Sequence, residues 1–332
     1  MKKSNRLLLA LALLLICAIG AGLYLVREKA RREDERITTP EDLAQRYRPN
    51  ILYKNQSYPL KRSISSVLLI GTDNNVDDAD QIHDDNYFHN FNYADFLVIL
   101  VFDHDAKTVT PFQICRDTMC NVTRVNIENQ PIASRIMQIT LAYSYGSGKE
   151  DSCINTRNCV KDLLFGAPID NYLAFTMDAV PLINDLVGGV TVTLESDVPS
   201  LGPDYVKGTT VTLKGKDVLK FVRYRDTSRI DSNLTRMENH RLYINGFTAS
   251  AREAAGKDPD LAVRAFKLAN PFLHTDLTVD HVQRIVDDLI HYELQPFVTA
   301  DGVYEHREGE QFPGFYVDEA SLWSCVKSTF CA

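Results

Sequence analysis

The chain has 332 residues, 45% of them apolar and 24% charged, the balance of a folded globular protein with ample core. Its formal net charge of −8 excludes general nucleic-acid binding and confines any anion site to a local basic cluster. After "MKKSNR" come twenty residues without a charge, Leu7 to Val26, and then "REKARRE". That length just spans a bilayer as a helix, so it predicts a single membrane anchor behind a short cytoplasmic tail, residues 1–6. A cleaved signal peptide, whose apolar region is usually shorter, is the competing reading. Lysines and arginines flank the span on both sides, so the positive-inside rule is roughly balanced.

Residues 27–62 are charged and carry Pro40, Pro49 and Pro59, and they read as a stalk or linker with a short helix at Glu41–Tyr47. A larger domain, 63–332, follows. "SVLLIG", Ser66 to Gly71, is a buried-strand run. The next segment, "TDNNVDDADQIHDDNYFHNFNY", holds six aspartates but no glycine where an EF-hand turn needs one, so it reads as a solvated loop. "DFLVILVF" (95–102) and "TVTPFQI" (108–114) flank the turn "DHDAK" as a β-hairpin. Helices are expected near 133–145 and 154–165, then a strand at 171–177 and a helix at 178–187 capped by Asp178. Gly188 and Gly189 end that helix, and "VTVTL" (190–194) alternates as a strand. "KGKDVLKFVRYR" predicts a helix running out near Arg223. Further helices are expected at 234–252, 261–269 and 279–292, and a late strand at 295–299. Strands alternating with helices give an α/β or α+β class with helices covering a sheet.

Outside the anchor stand six cysteines, Cys115, Cys120, Cys153, Cys159, Cys325 and Cys331, as three pairs close in sequence. An even count fits disulfides in an extracytoplasmic domain, with the connectivity open. Buried thiols are the alternative, and a metal site is the weakest reading because no pair is Cys-x-x-Cys.

The hairpin carries the chemistry. With a turn centred near Asp105, Asp95 falls opposite Cys115 and Arg116, so Asp95, Arg116 and Asp117 should meet at one sheet edge. If the strand 66–71 runs parallel to 108–114, Asp73 arrives at the same edge, where ligands of open α/β sheets bind. Gathered carboxylates repel unless a cation intervenes, and Mg²⁺ takes one or two of them plus water and phosphate oxygens. The plainer reading is that these aspartates are turn residues. A second cluster is "FVRYRDTSRIDSNLTRMENHR", residues 221 to 241, with five arginines and no lysine. Arginine presents a planar fork that matches phosphate oxygens. Arg223 and Arg225, with Arg116 and Arg236 from other elements, would suit a diphosphate; the plainer reading is a solvated face bridged to Asp226, Asp231 and Glu238.

The order of "LLIGTD" (68–73), "ADFLVIL" (94–100), "ICRDT" (114–118), "LAYSYG" (141–146), "APIDNYLAFTMDAVPLINDLVGGVTV" (167–192) and "LKGKDVLKFVRYRDTSRIDSNLTR" (213–236) resembles the LytR-CpsA-Psr family of bacterial cell-envelope proteins. The resemblance implies a three-layer α/β/α sandwich with a mixed central sheet, outside a single-pass anchor in the bacterial cell membrane. It implies transfer of a glycopolymer-1-phosphate from a polyprenyl (undecaprenyl) diphosphate carrier onto a peptidoglycan hydroxyl. The matched positions give Asp73 and Asp95 as Mg²⁺ ligands, Arg116 and Asp117 as the "RDT" pair, and Arg223, Arg225 and Arg236 as diphosphate ligands. Asp117 is the candidate to take the acceptor's proton. The chain departs from the family where Tyr93 replaces an arginine, Cys115 a proline, and Asn239 and His240 an Arg-Gln pair. Those departures keep two alternatives open: a non-catalytic binder of polyprenyl diphosphates or wall polymers, and a membrane-anchored envelope regulator.

Overall fold

The computed structural model describes residues 50–73, 88–258, 261–278, 281, 284, 285, 288 and 291–332. The expected anchor, the helix at 41–47 and most of the acidic loop lie outside these residues, and the helix expected at 279–292 is described only in part. Among the described residues no helix is long and apolar enough to cross a membrane.

In chain order the elements are β1 (Ile51–Tyr53), β2 (Gln56–Tyr58), β3 (Ile64–Thr72), β4 (Ala94–Asp103), β5 (Thr108–Ile114), β6 (Met119–Val125), β7 (Pro131–Gln138), α1 (Glu150–Leu163) and β8 (Asn171–Thr176). There follow α2 (Ala179–Leu186), β9 (Val190–Thr193), β10 (Thr210–Leu213), α3 (Asp217–Arg223), α4 (Ser232–Lys257), α5 (Leu261–Ala269), β11 (Leu273–Thr275) and β12 (Glu293–Leu294). The chain closes with β13 (Gly302–Glu305), β14 (Gly314–Val317) and α6 (Glu319–Phe330). The described residues fall into two compact units. One is built from Phe175–Leu273 and Leu277–Leu294, the other from residues up to Ala174 with His274–Asp276 and Gln295–Ala332.

The second of these is the sheet unit. Its strands run in the order β11, β8, β3, β4, β5. β3 pairs antiparallel with β4 from Ile64↔Asp103 to Thr72↔Ala94, and β4 pairs antiparallel with β5 from Leu97↔Ile114 to Asp103↔Thr108. Two antiparallel steps make β3 and β5 parallel, as the reading of Asp73 required. All of β4 is buried, so its unbroken apolar run is covered on both faces. Residues 295–298 add a parallel ladder to β5, with Gln113 N donating to Val298 O and Val298 N to Pro111 O, and the sheet is therefore mixed.

Three expectations change here. Residues 133–145 are not a helix: β7 forms a ribbon with β6, in register from Met119↔Gln138 to Val125↔Pro131, and only Ile139–Ala142 turns, as a 3₁₀ helix. Ile132 and Ile136 have helical spacing, but Ile132, Ser134, Arg135 and Ile136 are all exposed, so no apolar face drives a helix there. The stretch ending the expected linker is part of the domain: β1 and β2 form a hairpin, Ile51 lies in the core, and Tyr53 stacks on Trp323 at 4.3 Å. The cysteines are all reduced among the described residues, with Cys120 Sγ 3.3 Å from Cys159 Sγ, across two of the sequence pairs.

The other unit has its own core of Ile183, Val187, Val190, Leu213, Phe221, Phe247 and neighbours. Asp178 stands at the N-terminus of α2 but makes no capping bond with its side chain. Gly188 and Gly189, at φ 89° and 98°, end α2 as read from the sequence. α4 crosses the β9–β10 ribbon at Gly246, where a Cβ would come within 2.5 Å of Thr191 O. That close approach is why a glycine sits in a helix of 26 residues.

Candidate active site

The site expected at the hairpin end is assembled. The β4–β5 register, continued past Leu97↔Ile114, sets Asp95 opposite Arg116, and Arg116 Nη1 donates to Asp95 Oδ1. Arg116 Nε lies 3.5 Å from Asp117 Oδ1, so one guanidinium is bracketed by two carboxylates. Asp95 and Asp117 are 9% and 5% exposed, a depth at which carboxylates stand only when paired. Asp73 follows Thr72, which pairs with Ala94, and so arrives at the same end of the sheet.

The loop that carries Arg116 and Asp117 is laced along its backbone. Arg116 O accepts from Thr140 N at 3.0 Å, Asp117 O from Phe315 N at 2.8 Å, and Thr118 O from Ile139 N at 2.8 Å. Irregular backbone can lie this deep only with its carbonyls paired. The "LAYSYG" motif supplies the scaffold beyond it: buried Asn90 donates to Tyr143 O at 2.9 Å and Gly146 O at 3.0 Å. Tyr93, where the family has arginine, presents its ring to the Arg116 guanidinium, 5.8 Å from the centroid.

Sequence reasoning missed one member. The hydroxyl of Tyr304, on β13, donates to Asp117 Oδ2 at 3.0 Å and lies 3.1 Å from Cys115 Sγ. Burial, with the neighbouring Cys115 and Asp117, pushes the Tyr304 phenol far above its usual range, so it stays protonated and donates. Tyr304 is 187 residues from Asp117 in sequence, and no local pattern announces it.

The arginine-rich segment belongs to the other unit. It divides its five arginines by environment. Arg229 forms a fork with Asp231, with bonds of 2.9 and 2.8 Å, and Arg241 bridges Glu238 at 2.9 Å, as the plainer reading has it. Arg223 ends α3 and Arg225 lies just past it, after the extended backbone of Tyr224, and both arginines are exposed. Arg236 is 6% exposed in the first turns of α4, so it is not equivalent to that pair. The two departures at the next turn of α4 hold the segment's backbone. His240 Nε2 donates to Val222 O at 2.8 Å, and Asn239 Nδ2 reaches Tyr224 O at 3.5 Å, the carbonyls on either side of Arg223. Burial, aided by the charge of Arg236, drives His240 down to about 3, so it is a neutral donor.

A metal would meet oxygen donors here. Among the described residues no group of three or more His, Cys, Asp or Glu gathers as a metal site. Two carboxylates at the end of the sheet, Asp73 and Asp95, are the donor set that a hard cation completing its shell with water and phosphate oxygens would use.

Comparison with known proteins completes the picture. The model of the LytR_cpsA_psr family matches residues 28–289. The crystal structure of B. subtilis TagT is 18% identical, covering 86% of this chain and 96% of that one with a TM-score of 0.57. A structure of TagT bound to LI-WTA is 20% identical, covering 80% of this chain and 89% of that one at 0.58. The Lin1025 protein of Listeria innocua is 22% identical, covering 80% and 96% at 0.51. At these identities the structural likeness carries the fold. No curated protein sequence matches the chain. The chain belongs to the LytR-CpsA-Psr family, known for transferring cell-wall glycopolymers to peptidoglycan.

Proposed function

We propose that this protein is a phosphotransferase that moves a glycopolymer-1-phosphate from a polyprenyl (undecaprenyl) diphosphate carrier to a sugar hydroxyl of peptidoglycan. The observation that carries the reading is the buried Asp95–Arg116–Asp117 cluster at the sheet end where Asp73 also arrives. The acceptor oxygen bonds to phosphorus, the bond to the polyprenyl phosphate breaks, and the hydroxyl proton passes to a carboxylate of the cluster, Asp117 being the candidate, and from there to the departing phosphate or solvent. Such a reaction asks the protein mainly for positioning and charge neutralisation. Arg116, prealigned by its two carboxylates, is the phosphate ligand of the sheet unit. Arg223 and Arg225 are phosphate ligands by chemistry, exposure and family position, and Arg236 adds positive potential from within its unit. Asp73 and Asp95 would hold Mg²⁺, which when bound neutralises charge on the transferring phosphate. The anchor expected at 7–26 would hold the domain, a three-layer α/β/α sandwich, on the outer face of a bacterial cell membrane.

The test uses the full chain, a lipid-linked oligosaccharide diphosphate and peptidoglycan fragments, titrated with Mg²⁺ and then chelator. The readout is released polyprenyl phosphate together with sugar joined to glycan. Metal-dependent transfer is expected. Tight binding of the lipid without transfer would move the protein to the binding class, and Tyr93, Asn239 and His240 would then be the reason.

A further inference from the structure

We propose that Tyr304, supplied by the C-terminal hairpin, is a positioning residue that holds Asp117 and, through it, the Arg116 guanidinium. The inference rests on the reading of Arg116 as a phosphate ligand. The family match ends at residue 289, so β13 and β14 lie beyond it. Nothing in the family pattern assigns Tyr304 a part.

The contacts form a line of two hydrogen bonds joined by an ion pair at 3.5 Å. The Tyr304 hydroxyl donates to Asp117 Oδ2, the Arg116 Nε faces Asp117 Oδ1, and Arg116 Nη1 donates to Asp95. A hydroxyl has one proton, and here Asp117 takes it, so the thiol of Cys115, 3.1 Å away, is the donor to the phenol oxygen. The cysteine that replaces the family's proline therefore closes the outer end of the line. Both oxygens of Asp117 have partners inside the cluster. Asp117 is thus placed to orient Arg116.

The hairpin is fixed firmly enough for this. Tyr304 pairs with Phe315 across the β13–β14 ladder, with ring centroids 5.2 Å apart. Phe315 N donates to Asp117 O at 2.8 Å, and Thr118 forms a parallel bridge with Phe315. Gly314 lets the hairpin close on Met119, because any Cβ there would overlap the Met119 side chain. At Gly302 a Cβ would meet the Phe315 ring and Tyr316 O at 2.6 Å. Gly302 thus lets the two strands of the hairpin close on each other, Gly314 lets the hairpin lie against Met119 just after the loop that bears Arg116, and a tyrosine reaches in from it.

The test measures binding of geranylgeranyl diphosphate by calorimetry with Mg²⁺ present. It compares the full chain, Tyr304→Phe, Arg116→Ala and the double variant, with the thermal midpoint of each. Tyr304→Phe keeps the ring and removes only the donor. It should weaken binding by about 3- to 10-fold while leaving the midpoint within a few degrees. In the Arg116→Ala background it should weaken binding no further, because the tyrosine acts through that arginine. Full affinity in Tyr304→Phe, or an equal loss in both backgrounds, would overturn the inference. If Arg116→Ala itself binds normally, the phosphate reading falls and takes this role with it. A loss in Arg116→Ala with none in Tyr304→Phe removes the tyrosine's role alone.

Discussion

The protein presents arginine in two contrasting ways. Arg116 is held through its own guanidinium, gripped by Asp95 and Asp117 at a buried sheet end. Arg223 and Arg225 are exposed, and what is held is their backbone, through His240 and Asn239 on α4. The first arrangement aims a fork before any ligand arrives, at the cost of desolvating three charges. The second fixes the chain around Arg223 and keeps both side chains at the exposed surface, so a ligand must order them on arrival. Preorganisation suits a group that must hold a transferring phosphate in one geometry, and exposed reach suits capture of a diphosphate.

The comparison is broken most readily at the two arginines. Arg116→Ala should abolish most transfer and also destabilise the fold by about 3 kcal/mol or more, because two buried carboxylates lose their cation. Arg223→Lys should lose most transfer, on the order of tenfold or more, with an unchanged unfolding midpoint, because a fork is lost from an exposed site. Transfer rates and denaturant midpoints on both variants check this. Equal stability losses would erase the distinction.

The backbone clamp has a signature in pH. His240 titrates at about 3 in the fold against 6.5 in its absence. Its contribution is therefore complete above pH 6.5 and is lost as pH falls toward 3, at a slope of up to about 1.4 kcal/mol per pH unit. His240→Gln keeps a donor for Val222 O without a titrating group. It should flatten that acid limb in pH-dependent unfolding while leaving neutral-pH stability within about 1 kcal/mol. An unchanged acid limb would remove His240 as its source.

The smallest effect sharpens the account of α4. Gly246→Ala should lower stability by about 1–3 kcal/mol, because the methyl group meets Thr191 O and Val190. Ordinary helix propensity predicts the opposite sign. A stabilised variant would mean that α4 does not lie this close to the β9–β10 ribbon.

Much of the sheet unit was legible in the sequence, for a local reason. A short turn, "DHDAK", between two apolar runs sets the register of β4 and β5, and the register alone places Arg116 opposite Asp95. What escaped were features decided by distant partners. Most of β7 falls in the stretch expected as a helix, 133–145, and only pairing with β6 makes it a strand. β1 and β2 read as linker because their packing partner, Trp323, is supplied by α6 at the far end of the chain. Tyr304 reaches Asp117 by the same kind of long-range closure. The arginine segment was legible as residue chemistry, but its division into bridged, exposed and buried members depends on where α3 stops and α4 starts.

The central claim is that the Asp95–Arg116–Asp117 cluster performs phosphoryl transfer. The most direct measurement is single-turnover release of polyprenyl phosphate from a lipid-linked oligosaccharide diphosphate by the full chain and by Asp95→Asn. Asparagine keeps the size and an acceptor oxygen but loses the charge. The account predicts turnover by the native chain and a loss of about 100-fold or more in Asp95→Asn, with the lipid diphosphate still bound. Equal release by both proteins would contradict it and place the chemistry elsewhere in the molecule.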